Sequence, residues 1–181
     1  MRATRQKIAM MGLALAALMM SGCSAPAAPF EPEALPVFAS DEEAFAAAEA
    51  TYRAYVDASN EVNLADSESF EAVFALTNGA LNAADRKTLS AMHARGFELT
   101  GETRIRSVHA GAISGARDNV RLEVCLDVSE LRLLDVNGES AVDPSRRPQQ
   151  ALTVSFVPSS IDPTQLVASL LEPSQGTQEC G

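Results

Sequence analysis

Apolar positions in this chain recur first at helical and then at alternating spacing, and the change of period falls near Phe97. Ser40-Asp41-Glu42-Glu43 reads as a capping box, with Ser40 covering free amides and Glu43 reaching back. The acids also suit the positive end of a helix. Phe45, Ala48, Tyr52, Tyr55, Val56 and Ser59 follow at steps of three and four, while Glu43, Glu49, Arg53 and Asp57 fall off that stripe. This spacing predicts a helix from Asp41 to about Val62. Asp66 or Ser67 can cap a shorter second helix whose Phe70, Val73, Phe74 and Thr77 share a face, with Asn78-Gly79 as its expected end. Asn82, with Asp85 three residues on, is expected to cap a third in which Leu89, Met92 and His93 align and Gly96 stops the helix.

Beyond Phe97 the clearest strand is Val120, Leu122, Val124, Leu126 and Val128, alternating with Arg121, Glu123, Cys125, Asp127 and Ser129. Its parity slips at Leu131 and Leu133, which predicts a bulge or bend near Ser129 and Glu130. Asn137-Gly138 marks a hairpin, and Pro144 and Pro148 predict a loose return. Leu152, Val154 and Phe156 form another alternating strand, and Leu166 to Leu171 a last one. An earlier strand from about Leu99 to Ile113 is expected without clean parity. Helices followed by about four strands predict an α+β fold, with N-terminal helices packed on one face of an antiparallel sheet.

The first 39 residues follow neither period. Arg2, Arg5 and Lys7 precede an apolar run of 13 residues, Ile8 to Met20, which is too short for the roughly 20 that a permanent membrane span needs. Small Ser21 and Gly22 then stand before Cys23, so residues 1–22 read as an export signal. The run Leu18-Met19-Met20-Ser21-Gly22-Cys23 resembles the lipobox of bacterial lipoproteins. That resemblance implies cleavage before Cys23, a diacylglycerol thioether on its sulfur and often a further acyl chain on the new amino terminus. A plain secretory signal is the rival reading, because Ala25 to Ala28 also offers small residues. Each buried CH₂ contributes about 0.8 kcal/mol, so two or three chains hold a protein on a membrane where one does not. Residues 23–39, with Pro26, Pro29, Pro32 and Pro36, read as a lipidated cysteine and a tether. Fully extended, Pro-rich chain at about 3.1 Å per residue spans some 50 Å. Residues 40–181 are left as one α+β domain.

Charge bounds the partners, and cysteine usage agrees with export. Without residues 1–22 the chain keeps 11 basic against 24 acidic residues, a net charge near −13, which argues against nucleic acid as a partner. Twelve Arg against two Lys, with abundant Ala, is similar to high-GC coding and hints at an actinobacterial source. With Cys23 taken by lipid, Cys125 and Cys180 form an even remainder and are expected to pair. No Cys/His cluster or phosphate loop points to a metal or cofactor, and none is expected.

The order of helices, the strand around Val-Cys-Leu-Asp at 124–127, the Asn-Gly hairpin and the terminal Gln178-Glu179-Cys180 together resemble the nuclear transport factor two-like, or cystatin-like, cone fold, and small actinobacterial lipoproteins built on it. In isomerases and dehydratases of that fold an acid or base and a Tyr or His meet in a helix-lined cavity. Residues here to be sought in such a cavity are Tyr52, Tyr55 and His93, and more remotely Asp57, His109 and Asp127; none matches a family catalytic motif. Arg146-Arg147, between Pro144 and Pro148, is a loop feature that could meet an acidic partner or headgroups. The expectation is therefore a cell-membrane lipoprotein, anchored through Cys23 on the extracytoplasmic face, whose domain binds an envelope protein or a small apolar ligand. The alternatives are an isomerase-like or hydrolase-like enzyme and a structural subunit of an envelope assembly.

Overall fold

A computed structural model describes residues 37–162, 165–174 and Cys180; the expected signal segment, Cys23 and most of the tether lie outside them. Helix α1 spans Asp41–Asn60. Ser40 Oγ accepts from the Glu43 amide at 3.2 Å, and Glu43 Oε2 accepts in return from the amide of Ala39 rather than that of Ser40. The box thus closes one residue further out, and the fold begins earlier than expected. Phe38, inside the segment read as tether, is buried in the core. Arg117, in the left-handed region at φ 56°, pairs with Asp41 at 2.6 Å and donates to the Phe38 carbonyl at 3.4 Å.

Asp66 caps a single 3-10 turn, Ser67–Phe70, which runs into α2, Glu71–Ala75. Asn78-Gly79 does not simply close that helix. It opens α3, Gly79–Ala94, so Asn82 stands inside a helix and caps nothing. The cause lies in β6, Leu166–Pro173. The amide of Ala168 donates to the Leu76 carbonyl and the Ala168 carbonyl accepts from Asn78, at 3.0 and 2.9 Å. With 76–78 held as strand edge, Gly79 at φ +54° turns the chain at once into α3. Asn82 instead reaches back with its amide to the Phe74 carbonyl and to Thr77. Gly96 at φ +65° follows the helix as expected.

The remaining strands are β1 Glu98–Thr100, β2 Arg104–Ile113, β3 Val120–Asp127, β4 Arg132–Leu134 and β5 Gln149–Pro158. Strands β2, β3 and β5 join β6 in an antiparallel sheet of order β2-β3-β5-β6, and β1 pairs with β4 in a separate ribbon. The α+β class, helices on a curved four-stranded antiparallel sheet, is thus observed. The strand expected over Leu99 to Ile113 is two strands, broken at Gly101. There φ is +80°, and a Cβ would fall 2.0 Å from the Glu130 carbonyl oxygen, so neither the conformation nor the space admits a side chain. The parity slip near Ser129 and Glu130 is the expected bend and not a bulge: β3 ends at Asp127 and the chain turns there into β4. A bidentate pair from Arg104 to Glu130, at 3.0 and 2.8 Å, closes this corner. Bulges lie instead in the β5–β6 pairing and in β2, where Gly111 passes so near β3 that a Cβ would meet the Arg121 carbonyl at 2.8 Å. The Asn137-Gly138 turn is present, with Gly138 at φ +78°, and its return is one bridge, Leu134 to Ser140.

Two apolar clusters result. The main one lies between α1 and the sheet and holds Ala44, Ala48, Tyr52 and Val56 against Val120, Leu122, Val124, Leu126, Val154 and Phe156. A second joins Val62, Leu64, Phe70, Val73 and Phe74 beneath α3, with Leu89, Met92, Phe97, Leu99 and Leu133 at its margin. On the outer face of the sheet Cys125 is disulfide-bonded to Cys180, as the cysteine count predicted. That face is not open at this point, since Cys125 is buried.

Candidate functional site

Three residues apart on α1, Tyr52 and Tyr55 project into the same region, their ring centroids 6.2 Å apart. Tyr52 also meets the edge of Phe156 at 6.5 Å. It is fully buried, and its hydroxyl has no hydrogen-bond partner among the described residues. A buried hydroxyl left unpaired costs about 1–3 kcal/mol. Tyr55 is half-buried and its hydroxyl donates to both carboxylate oxygens of Asp85, at 3.4 Å each. Burial pushes both phenols up, and for Tyr55 the neighbouring Asp85 charge adds to it. Burial also raises the Asp85 carboxyl to about 6, against the opposing effect of the Tyr55 hydrogen bond. The arrangement is a carboxylate that titrates near neutrality, one phenol bonded to it and a second phenol behind.

Asp85 was not among the residues singled out above, although the sequence carries a signal for it. Leu81, Asp85, Leu89 and Met92 follow at steps of four, four and three, which sets an acid within the apolar stripe of α3. Its spacing from Asn82 suggested a cap instead.

His93 lies apart from this cluster. It is on the last turn of α3, its Nδ1 2.7 Å from the Leu64 carbonyl and its ring edge-on to Phe70 at 6.1 Å. It borders an open groove of about 440 Å³ with Leu64, Ala65, Phe97 and Leu99. Asp57 is exposed on a second groove, of about 310 Å³, with Arg53, Asn60, Thr103 and Arg104. There the Asn60 amide both donates to and accepts from the backbone of Thr103, at 3.0 and 2.8 Å. His109 is exposed on β2 opposite Glu123. Asp127 accepts from Ser129, whose hydrogen bonds hold its carboxyl below the usual range, and it stands 3.6 Å from Arg106. The structure therefore brings Tyr52 and Tyr55 together and leaves His93, Asp57, His109 and Asp127 dispersed.

Arg146, expected in a loop where it could meet an acidic partner or headgroups, is half-buried and donates to the carbonyls of Val128 and Leu131 at 2.9 and 3.0 Å, fastening its loop to the end of β3. Arg147 is exposed. Among the described residues no group of three or more His, Cys, Asp or Glu is placed to hold a metal ion. No helix among them is long and apolar enough to cross a membrane.

No family model and no curated protein matches the sequence. Among solved structures, the chain is similar to a candidate aromatic ring hydroxylase from Novosphingobium aromaticivorans, at 10% identity and a TM-score of 0.48, over 75% of this chain and 96% of the other. It is similar also to Aln2 from a Streptomyces species, at 13% identity and a TM-score of 0.42, over 77% and 94%. A candidate polyketide cyclase from Xanthomonas campestris pv. campestris follows at 13% and 0.35, over 70% and 92%. Likeness at this level assigns no activity.

Proposed function

We propose that this chain is a lipid-anchored lipoprotein of the cell envelope whose folded domain is a non-enzymatic interaction module. The anchor rests on Cys23 and the residues before it. The disulfide between Cys125 and Cys180 suits an oxidising compartment on the extracytoplasmic side. The observation that carries the choice of an interaction module is the filled interior. The space between α1 and the sheet is occupied by Tyr52, Phe156, Leu122, Val120 and Val154, each essentially without exposure. Side chains packed to that density leave a small apolar ligand nothing to displace cheaply. A protein partner needs only surface, which the two open grooves and the exposed Val136 supply.

Fractionation of cells tests the anchor. The wild type is expected in the membrane fraction and Cys23→Ser is expected to escape normal processing; identical behaviour of the two refutes it. Crosslinking on intact cells followed by co-purification tests the module, and a defined envelope partner is the expected product. A chain recovered as a fixed stoichiometric part of a large assembly would favour the structural-subunit alternative.

The isomerase-like or hydrolase-like reading calls for at least two of Tyr52, Tyr55, His93, His109 and Asp127 within hydrogen-bond reach in one pocket. Among the described residues Tyr52 and Tyr55 share a ring contact but no hydrogen bond, and the group that Tyr55 reaches is Asp85.

A further inference from the structure

Helix α3 packs chiefly on β6 and contributes few buried side chains for its length. Of its 16 residues Leu81 alone is buried, while Leu89 and Met92 rest half-buried on the second cluster. Its first turn is tied down by Asn82, through Thr77 and Phe74, and its last by His93, through the Leu64 carbonyl. Between these ties the hydrogen-bonded link to α1 is the Tyr55 hydroxyl on the Asp85 carboxylate, with both distances long at 3.4 Å. Ionised, the Asp85 side chain is cut off from water on one side and compensated by one stretched donor. Protonated, it gives up far less to the same burial and can still accept from Tyr55.

We propose that the Tyr55–Asp85 contact is a proton-operated latch: uptake of a proton by Asp85 seats α3 firmly against α1, and its release loosens the helix over the apolar cluster beneath. The proton comes from solvent and returns to it, and no other bond changes. What the latch uncovers is the margin formed by Leu89 and Met92 over Phe70 and Phe74.

The surroundings leave Asp85 in control. From α1 it faces Tyr55, with Tyr52 behind. On α3 itself Arg86 is turned away, bonded to Asn82 at 2.9 Å and lying over the Phe74 ring at 4.0 Å, and Lys87 is exposed. β6 contributes Glu172 as its charged residue, α2 Glu71 and the 3-10 turn Glu68, all exposed. Desolvation and the Tyr55 hydrogen bond set the carboxyl, which places its titration near pH 6, close to neutrality. The inference stands independently of the membrane anchor.

Amide hydrogen exchange on the full-length chain tests it, at pH 5 and pH 7.5, with rates corrected for intrinsic exchange and referred to the amides of α1. Amides from Asn82 to Met92 are expected to exchange about tenfold faster at the higher pH. Asp85→Asn keeps a side-chain acceptor for Tyr55 and is expected to abolish the difference, whereas Asp57→Asn, at an exposed acid on α1, leaves it intact. Tyr55→Phe removes the donor and is expected to move the midpoint of the response to higher pH. A wild-type α3 that tracks α1 at both pH values overturns the latch. So does a pH response that survives Asp85→Asn or keeps its midpoint in Tyr55→Phe.

Discussion

The two apolar clusters are built to different standards. Between α1 and the sheet, four of the helix's 20 residues are buried, Ala44, Ala48, Tyr52 and Val56, and Tyr52 and Phe156 meet edge to face with no exposure. Beneath α3, none of the helix's 16 residues is buried in this cluster, since Leu81 belongs to the main one, and Phe74 is covered in part by the flat guanidinium of Arg86 at 4.0 Å. Arg95 covers Phe97 in the same way at 4.3 Å. Cation–π contacts at exposed sites contribute about 0.5–1 kcal/mol each, less than a buried aliphatic side chain in a closed core. The first region is therefore expected to carry more of the domain's stability, and the margin of the second to be where it yields first.

Substitution of Phe156 by Ala attacks the stronger region and is expected to cost about 3–5 kcal/mol, while Leu89→Ala at the margin of the weaker one should cost about 1 kcal/mol. Urea midpoints for the two variants check the contrast, and equal losses would erase it. Cys125→Ser comes next. Opening a cross-link between residues 55 apart should cost about 4 kcal/mol in the chain-entropy view, and reductant should lower the wild-type midpoint to match.

Asp85→Asn sharpens the comparison from the other side. The Asp85 carboxyl titrates higher in the folded chain, at about 6, than its ordinary 3.8, so the folded state holds that proton the more tightly. Whatever stability this supplies is fully present below about pH 4 and is lost as pH rises through 6. Asn carries no charge, so the variant should gain about 1 kcal/mol over wild type at pH 7.5, with solvent screening allowed for, and nothing at pH 3.5. Thermal melts at the two pH values decide it. The smallest effect is expected for Tyr52→Phe. Deleting a hydroxyl that has no protein partner should leave stability unchanged or raise it by less than about 1 kcal/mol, and a loss above 2 would mean that the hydroxyl is satisfied after all.

The stronger region was also the more legible. Helix α1 carries its cap, its acidic first turn and its apolar stripe within 20 residues, and β3 shows its alternation without interruption. Both signals are local, so they survive in the sequence. The errors fall where a distant backbone decides. Asn78-Gly79 looks like a helix end until Ala168 holds that segment as a strand edge, and Gly101 breaks a strand because the Glu130 carbonyl fills the space of its missing side chain. The candidate site divided in the same way. Tyr52 and Tyr55 could be placed together from their spacing on one helix. Asp85 acquires its character from burial against elements distant in sequence, with Tyr55, 30 residues away, opposing that effect, and His93 was drawn toward them although its own contacts are with Leu64 and Phe70.

The junction at Phe38 governs how the domain bears load. Tension on the chain from its N-terminal side meets a ring sunk in the core and then an arginine that grips both Asp41 and the Phe38 carbonyl from the turn between β2 and β3. A pull applied there is therefore expected to load the β2–β3 turn together with the start of α1, so that the two yield together.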